Sequence, residues 1–151
     1  MVMVDSNTLL LLILGLMDRR LVNSHEKTSV YEEEDFVNLI ELVGDLNNLI
    51  VVPNILTEVD NLLNNFKGER RYKYVMAMME FISKSTEEYV RSVHGVSSYY
   101  FSDLGLTDSI ILYMKDRYDL LITSDSMLSD RANSLGINHF DIKAYRNLRF
   151  Q

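Results

Sequence analysis

The chain predicts an α/β protein: a three-layer α/β/α sandwich with a mainly parallel central sheet, in a single domain over residues 1–151. Three observations carry this expectation. The short apolar runs "MVMV" (1–4), "NLIVVPN" (48–54) and "DLLITSD" (119–125) read as strands buried on both faces, as in a parallel sheet. Between them, apolar residues recur at spacings of three and four, the mark of helices with one buried side. Strands therefore alternate with helices, which is the order of a sheet layered between helices.

The elements follow in order. After the strand "MVMV", Asp5, Ser6 and Asn7 read as turn or N-cap residues. The run Leu9–Met17 is far short of the roughly 20 apolar residues that cross a bilayer. The charged side chain ahead of it is acidic, where a signal peptide needs basic ones. It reads as a helix inside a cytoplasmic protein with no membrane association. Residues 18–30 are polar and read as irregular. The segment 32–44 carries Phe36, Leu39, Ile40 and Val43 on one helical side, with Gly44 as its stop.

The strand at 48–54 ends at the only proline, Pro53, and Ile55, Val59, Leu62 and Leu63 then form the stripe of a helix. The spacing predicts another helix over 69–83 with Tyr72, Val75, Met76 and Met79 turned inward. Residues 86–100, with β-branched and aromatic side chains around Gly95, predict a hairpin or irregular strand. Thr107 reads as the N-cap of a helix bearing Ile110, Ile111 and Met114. The strand at 119–125 leads to a helix closed by Gly136, and "INHFDI" reads as a final edge strand.

Composition narrows the function. A net charge of −7 argues against an overall electrostatic pull toward nucleic acid. The charge is uneven: acid gathers in "YEEEDF" (31–36), while Lys67, Arg70, Arg71 and Lys73 cluster in "FKGERRYKY" and Lys143, Arg146 and Arg149 near the C-terminus. Such runs read first as solvated helix faces and second as phosphate contacts, with Lys67, Arg70, Arg71 and Lys73 the candidate RNA-binding set. Tyr99, Tyr100 and Phe101 read as core or interface, with base stacking as the alternative. The absence of cysteine excludes disulfides and thiolate metal sites and fits a reducing compartment. His25, His94 and His139 lack partners one helical turn away, so nothing suggests a histidine metal site.

The acids stand out by position. Ligands of open α/β sheets sit beyond the carboxyl ends of the strands. Asp5 follows the first strand, Glu58 lies in the first turns after the second, Asp108 in the first turn of its helix, and Asp125 just past "LLITS". Converged carboxylates repel, raise their own pKa values or splay apart, unless a hard divalent cation such as Mg²⁺ or Mn²⁺ neutralises them. Asp130, about a turn further on, reads as solvent-facing.

In order and spacing, "VDSNTLL" (4–10), "PNILTEV" (53–59), "LTDSIIL" (106–112) and "LLITSDSMLSDRANSLGI" (120–137) resemble the motifs of PIN-domain nucleases. The resemblance implies a PIN-like domain and a Mg²⁺- or Mn²⁺-dependent ribonuclease. Asp5, Glu58, Asp108 and Asp125 would be its metal-binding and catalytic acids, and Asn7 and Thr123 supporting polar groups. It also implies RNA as substrate and a role as an antitoxin-restrained toxin or as a processing nuclease. A homodimer is expected because one small domain offers a short binding groove. The segments 18–35 and 84–105 look longer than such a domain needs.

Two rivals remain. "DSNT" approximates the D-x-D-x-T opening of haloacid-dehalogenase-like phosphohydrolases, with Asp5 as nucleophile, but Asn7 replaces the general acid and Glu58 and Asp108 have no task. A non-catalytic PIN-like scaffold for protein contact or RNA tethering would have no use for clustered acids. A phosphoacceptor receiver domain ranks lower, because its aspartate follows a middle strand rather than the first.

Overall fold

The computed structural model describes residues 1–28 and 30–149, without the side chains of 146–149. Of the basic residues expected near the C-terminus, the described side chains include Lys143, while those of Arg146 and Arg149 lie outside them. Strands β1 (Val2–Val4), β2 (Leu49–Val51), β3 (Thr86–Glu87), β4 (Leu120–Thr123) and β5 (His139–Asp141) form one sheet. All neighbours are parallel, in the order β3-β2-β1-β4-β5. The expected α/β/α sandwich is what the chain adopts.

The helices are α1 (Ser6–Met17), α2 (Leu21–Ser24), α3 (Glu33–Val43), α4 (Pro53–Leu63) and α5 (Gly68–Lys84). They continue with α6 (Ser92–Val96), α7 (Phe101–Leu104), α8 (Leu106–Tyr113), α9 (Ser126–Ser134) and α10 (Ile142–Arg149). The chain crosses from β1 to β2 to β3 in one direction and from β3 back over to β4 and β5 in the other. Right-handed crossovers then put α1–α5 on one face and α6–α9 on the other. The packing agrees: α1 touches α2, α3, α4 and α5, whereas α8 touches α6 and α7, and α10 returns against α3.

The Leu9–Met17 run is an interior helix, and among the described residues no helix is long and apolar enough to cross a membrane. Leu9 through Leu14 are all buried, because α1 has the sheet beneath it and helices on its other sides. Each such side chain contributes about 1.5–3 kcal/mol of hydrophobic stabilisation. A Cβ at Gly15 would stand 2.0 Å from the ring of Phe36, so α3 lies against α1 as closely as it does only because that position has no side chain. The acid run "YEEEDF" starts α3, where Glu32 and Asp35 form a capping box and Glu33, Glu34 and Asp35 occupy the first turn, the favourable end of the helix dipole.

Several elements differ from expectation. Residues 18–30 are not wholly irregular: α2 buries Leu21 and Val22 against the core. Pro53 opens α4 at its first position, where a missing N–H costs nothing. The helix at 68–84 forms, but Tyr74, Ala77, Met78 and Phe81 are its inward residues, while Tyr72, Val75, Met76 and Met79 face out. Both sets have helical spacing, and the packed one holds the phenyl ring of Phe81 and a tyrosine whose hydroxyl finds Asp60.

No hairpin forms in 86–100. Instead β3 joins the sheet edge in parallel and α6 follows, with Gly95 packed against Leu106 and Ile110. Gly105, not Thr107, is the N-cap of α8, and α10 was not anticipated.

Candidate functional site

The direction of the chain reverses between β1 and β4, since β1 connects outward to β2 and β4 outward to β5. Such a switch point opens a crevice at the carboxyl ends of the two strands. Asp5 is the first residue beyond β1, and Asp125 lies two residues beyond β4.

Asp5 is 4% exposed and both of its oxygens are engaged. Oδ1 accepts the Thr8 N–H at 2.8 Å, which caps α1, and Oδ2 accepts the Thr123 hydroxyl. The oxygen of that hydroxyl in turn accepts the Asp125 N–H at 3.0 Å, so one threonine ties the two strand ends together. Asp125 Oδ1 accepts the N–H groups of Met127 and Leu128 at 2.8 and 3.1 Å, capping α9. Thr123 thus bonds both Asp5 and the backbone of Asp125.

Asp108 enters from the other face of the sheet. Gly105, at φ 83, supplies a left-handed backbone that turns the chain from α7 into α8 and sets Asp108 in the first turn. Among the described residues no hydrogen bond reaches its carboxylate. Burial, then the charges of Asp5, Asp125 and Glu58, push Asp108 from the ordinary 3.8 up to about 7. Burial also raises Asp5, against the pull of its bonds from Thr123 and Thr8, and the charge of Asp125 raises it further. Glu58 projects from α4 at the rim, where the hydroxyls of Ser6 and Thr107 donate to its two oxygens. The four acids thus share one edge and feel one another, and among the described residues none is ion-paired to a basic side chain.

Ser6 and Thr107 were read from sequence as cap residues. What could have marked them is that each is a hydroxyl at the start of a helix that also bears or borders a candidate acid. Asn7 is exposed, and among the described residues no hydrogen bond joins it to the acids, whereas its neighbour Ser6 donates to Glu58. Asp130 is exposed, as expected. Of the aromatic trio, Tyr100 is buried, Phe101 is half-buried, and Tyr99 lies outside beneath the guanidinium of Arg131. His25 packs on Phe66, His94 stacks on Tyr113, and His139 bonds the carbonyl of Ile137; none joins the acids.

The basic cluster is not brought to this edge. Arg71 donates to the carbonyl of Asn64 beyond the end of α4 and covers Tyr74, Lys73 pairs with Glu69 at 3.8 Å, and Lys73 feels Asp18 at the end of α1. Asp18 lies a whole helix away from Asp5, about 18 Å at the rise of an α-helix. Lys67 and Arg70 sit beside them in the first turn of α5.

A cleft of about 680 Å³ opens next to Glu58 and Asp108, with Pro53, Asn54, Thr107 and Tyr89 among its walls. Through Tyr89 and Val90 it adjoins a groove of about 520 Å³, where the rings of His94 and Tyr113 stack at 4.9 Å. The segment 84–105, longer than expected for such a domain, contributes Tyr89 and Val90 to both walls.

As placed, no three of the described Asp, Glu or His side chains enclose a cation by themselves. The donor set is nevertheless of oxygens alone, the ligand type that hard divalent ions prefer. No family model, curated protein or solved structure matches this chain, so what the edge does is argued from its own chemistry.

Proposed function

We propose that the protein is a Mg²⁺- or Mn²⁺-dependent ribonuclease that hydrolyses RNA phosphodiester bonds at the edge formed by Asp5, Glu58, Asp108 and Asp125. The observation that carries this reading is the gathering of four acids at one edge, Asp5 and Asp125 tied through Thr123 and Glu58 held by Ser6 and Thr107, with none of them paired to a basic side chain among the described residues. A divalent ion there would supply the missing positive charge, activate water and offset charge on the phosphate.

The chain's own groups divide the remaining work. Asp5 and Asp125, fixed by Thr123 and by the helix starts they cap, would hold the ion, with Asp108 completing the oxygen set. Glu58, exposed and held by two hydroxyls at the rim of the cleft, would orient a water and accept its proton. An RNA strand would lie in the cleft and pass Tyr89, whose ring is exposed for a base to stack on. The proposal covers toxin-type and processing-type enzymes alike, with an antitoxin or other protein over the edge in the first case.

The phosphohydrolase reading is weaker. Asp5 as nucleophile needs a general acid two residues on, where this chain has Asn7, and that scheme gives Glu58 and Asp108 no task. The scaffold reading leaves the strain on Asp108 without use. The deciding measurement is cleavage of a labelled single-stranded RNA with Mn²⁺, with EDTA, and by Asp5→Asn. Activity in EDTA, or in Asp5→Asn at the wild-type rate, would remove the nuclease assignment; phosphatase turnover trapped covalently at Asp5 would install the rival.

A further inference from the structure

The outer face of α5 has more exposed apolar surface than solvent favours. Tyr72 is 66% exposed, Met76 48% and Met79 62%, with Val75 and Ile82 beside them on the same side of a 17-residue helix. Singly exposed apolar residues are ordinary, but a contiguous patch of this kind marks a contact surface. An adjoining groove of about 530 Å³ runs between α5 and the end of α1, and Leu16 and Met17 form its apolar floor.

The charges bordering the patch identify what covers it. Glu69, Lys73, Glu80 and Lys84 share one flank of the stripe, in two pairs: Lys73 with Glu69 at 3.8 Å and Lys84 with Glu80 at 3.0 Å. Read from either end, the flank has opposite signs at matching places. A two-fold axis passing between Met76 and Ala77 sets Lys73 opposite Glu80 and Glu69 opposite Lys84. Antiparallel helices related by such an axis bring the same flank of each together, so every acid meets a base. The stripe of one helix then lies against the stripe of the other, Met76 near its own copy and Tyr72 near Met79.

We propose that the chain forms a homodimer through α5, packed antiparallel on α5 of a second copy, with Lys73–Glu80 and Glu69–Lys84 pairs between protomers. A second copy fits better than a different protein because the surface is complementary to itself in both shape of stripe and sign of charge. This proposal does not depend on the nuclease reading, since α5 lies away from the acid edge and the test reads mass rather than cleavage.

The test is sedimentation velocity of the full chain across a concentration series, with circular dichroism to verify the fold of each variant. The wild type sediments as a dimer, and Met76→Glu or Met79→Glu, at exposed positions that leave the core intact, as a monomer. Lys73→Glu and Glu80→Lys each weaken the dimer by about tenfold or more, and the double exchange Lys73→Glu/Glu80→Lys restores it. A monomeric wild type overturns the proposal, as does a dimer indifferent to Met76→Glu and Met79→Glu, which would have another surface as its seat. A double exchange that fails to recover the dimer overturns the antiparallel pairing. If the face instead belongs to a helical peptide from another protein, the wild type alone remains monomeric at every concentration.

Discussion

At the amino end of the sheet, acids have partners. Asp18 is held by Arg20 at 2.9 Å and its carboxyl falls to about 2, Asp45 is lowered by the amides of Asn47, and Asp119 meets the terminal amine of Met1 at 2.8 Å. At the carboxyl end, Asp108 rises to about 7 and Asp5 rises with it. The same residue type is stabilised as an anion at one end and destabilised at the other. The difference lies in what surrounds it: water, amides and a guanidinium in the first case, low-dielectric packing and other carboxylates in the second. On the proposed reading, the carboxyl end is the place where an external positive charge would be favoured.

The largest expected effect breaks the carboxyl end outright. Asp5→Asn and Asp108→Asn should each reduce RNA cleavage by at least about a hundredfold, as loss of one charge-stabilising group commonly does. Neither should unfold the protein, because each removes a repelling anion; a gel assay of cleavage beside a thermal melt checks both halves. Next in size is the response to the ion. Saturating Mn²⁺, at about a hundred times its dissociation constant, adds roughly 2.7 kcal/mol to the native state and moves the melting temperature by about 5–10 °C. The shift should vanish in the double variant Asp5→Asn/Asp108→Asn, and its persistence there would place the ion elsewhere.

Stability against pH sharpens the contrast further. In the chelated protein the native Asp108 holds a proton that the unfolded chain releases near 3.8, so stability falls as pH rises from about 4 to about 7. Allowing for solvent screening, the loss is on the order of 1–2 kcal/mol. Asp108→Asn should flatten that slope, as read by urea titrations at several pH values. Asp18 runs the opposite way: its carboxyl is lowered, so what it contributes is present above 3.8 and lost as pH falls toward about 2. Because the Asp18–Arg20 pair is exposed and screened by water, Arg20→Ala should leave both cleavage and neutral-pH stability nearly unchanged, the smallest effect of the set.

Much of this contrast was legible in the sequence, and for a definable reason. A strand followed at once by an acid fixes that acid at the carboxyl end of the sheet, which is why Asp5 and Asp125 could be placed without coordinates. Thr123 was named through the motif resemblance rather than through its position in the strand. Other features depend on contacts between distant segments, which periodicity does not encode. The helix α5 has two apolar stripes of the same spacing, and only the shape of α1 and α4 selects Phe81 over Met79. Ser6 and Thr107 hold Glu58 from separate helices, and α4 and α8 must be brought side by side before their hydroxyls gain that meaning. The bases of 67–73 are adjacent in sequence to the Glu58 helix, yet a helix running away from the edge carries them to its far side.

The borders of the sheet have a consequence for how this protein behaves when crowded. One border is β3, two residues long and ending at Glu87, and the other is β5, three residues long and ending at Asp141. An incoming extended peptide would find too few free amides and carbonyls to zip onto, and a carboxylate at the finish of either row. Edges this short disfavour edge-to-edge pairing that would extend the apolar central strands "MVMV" and "LIV" from one copy to the next.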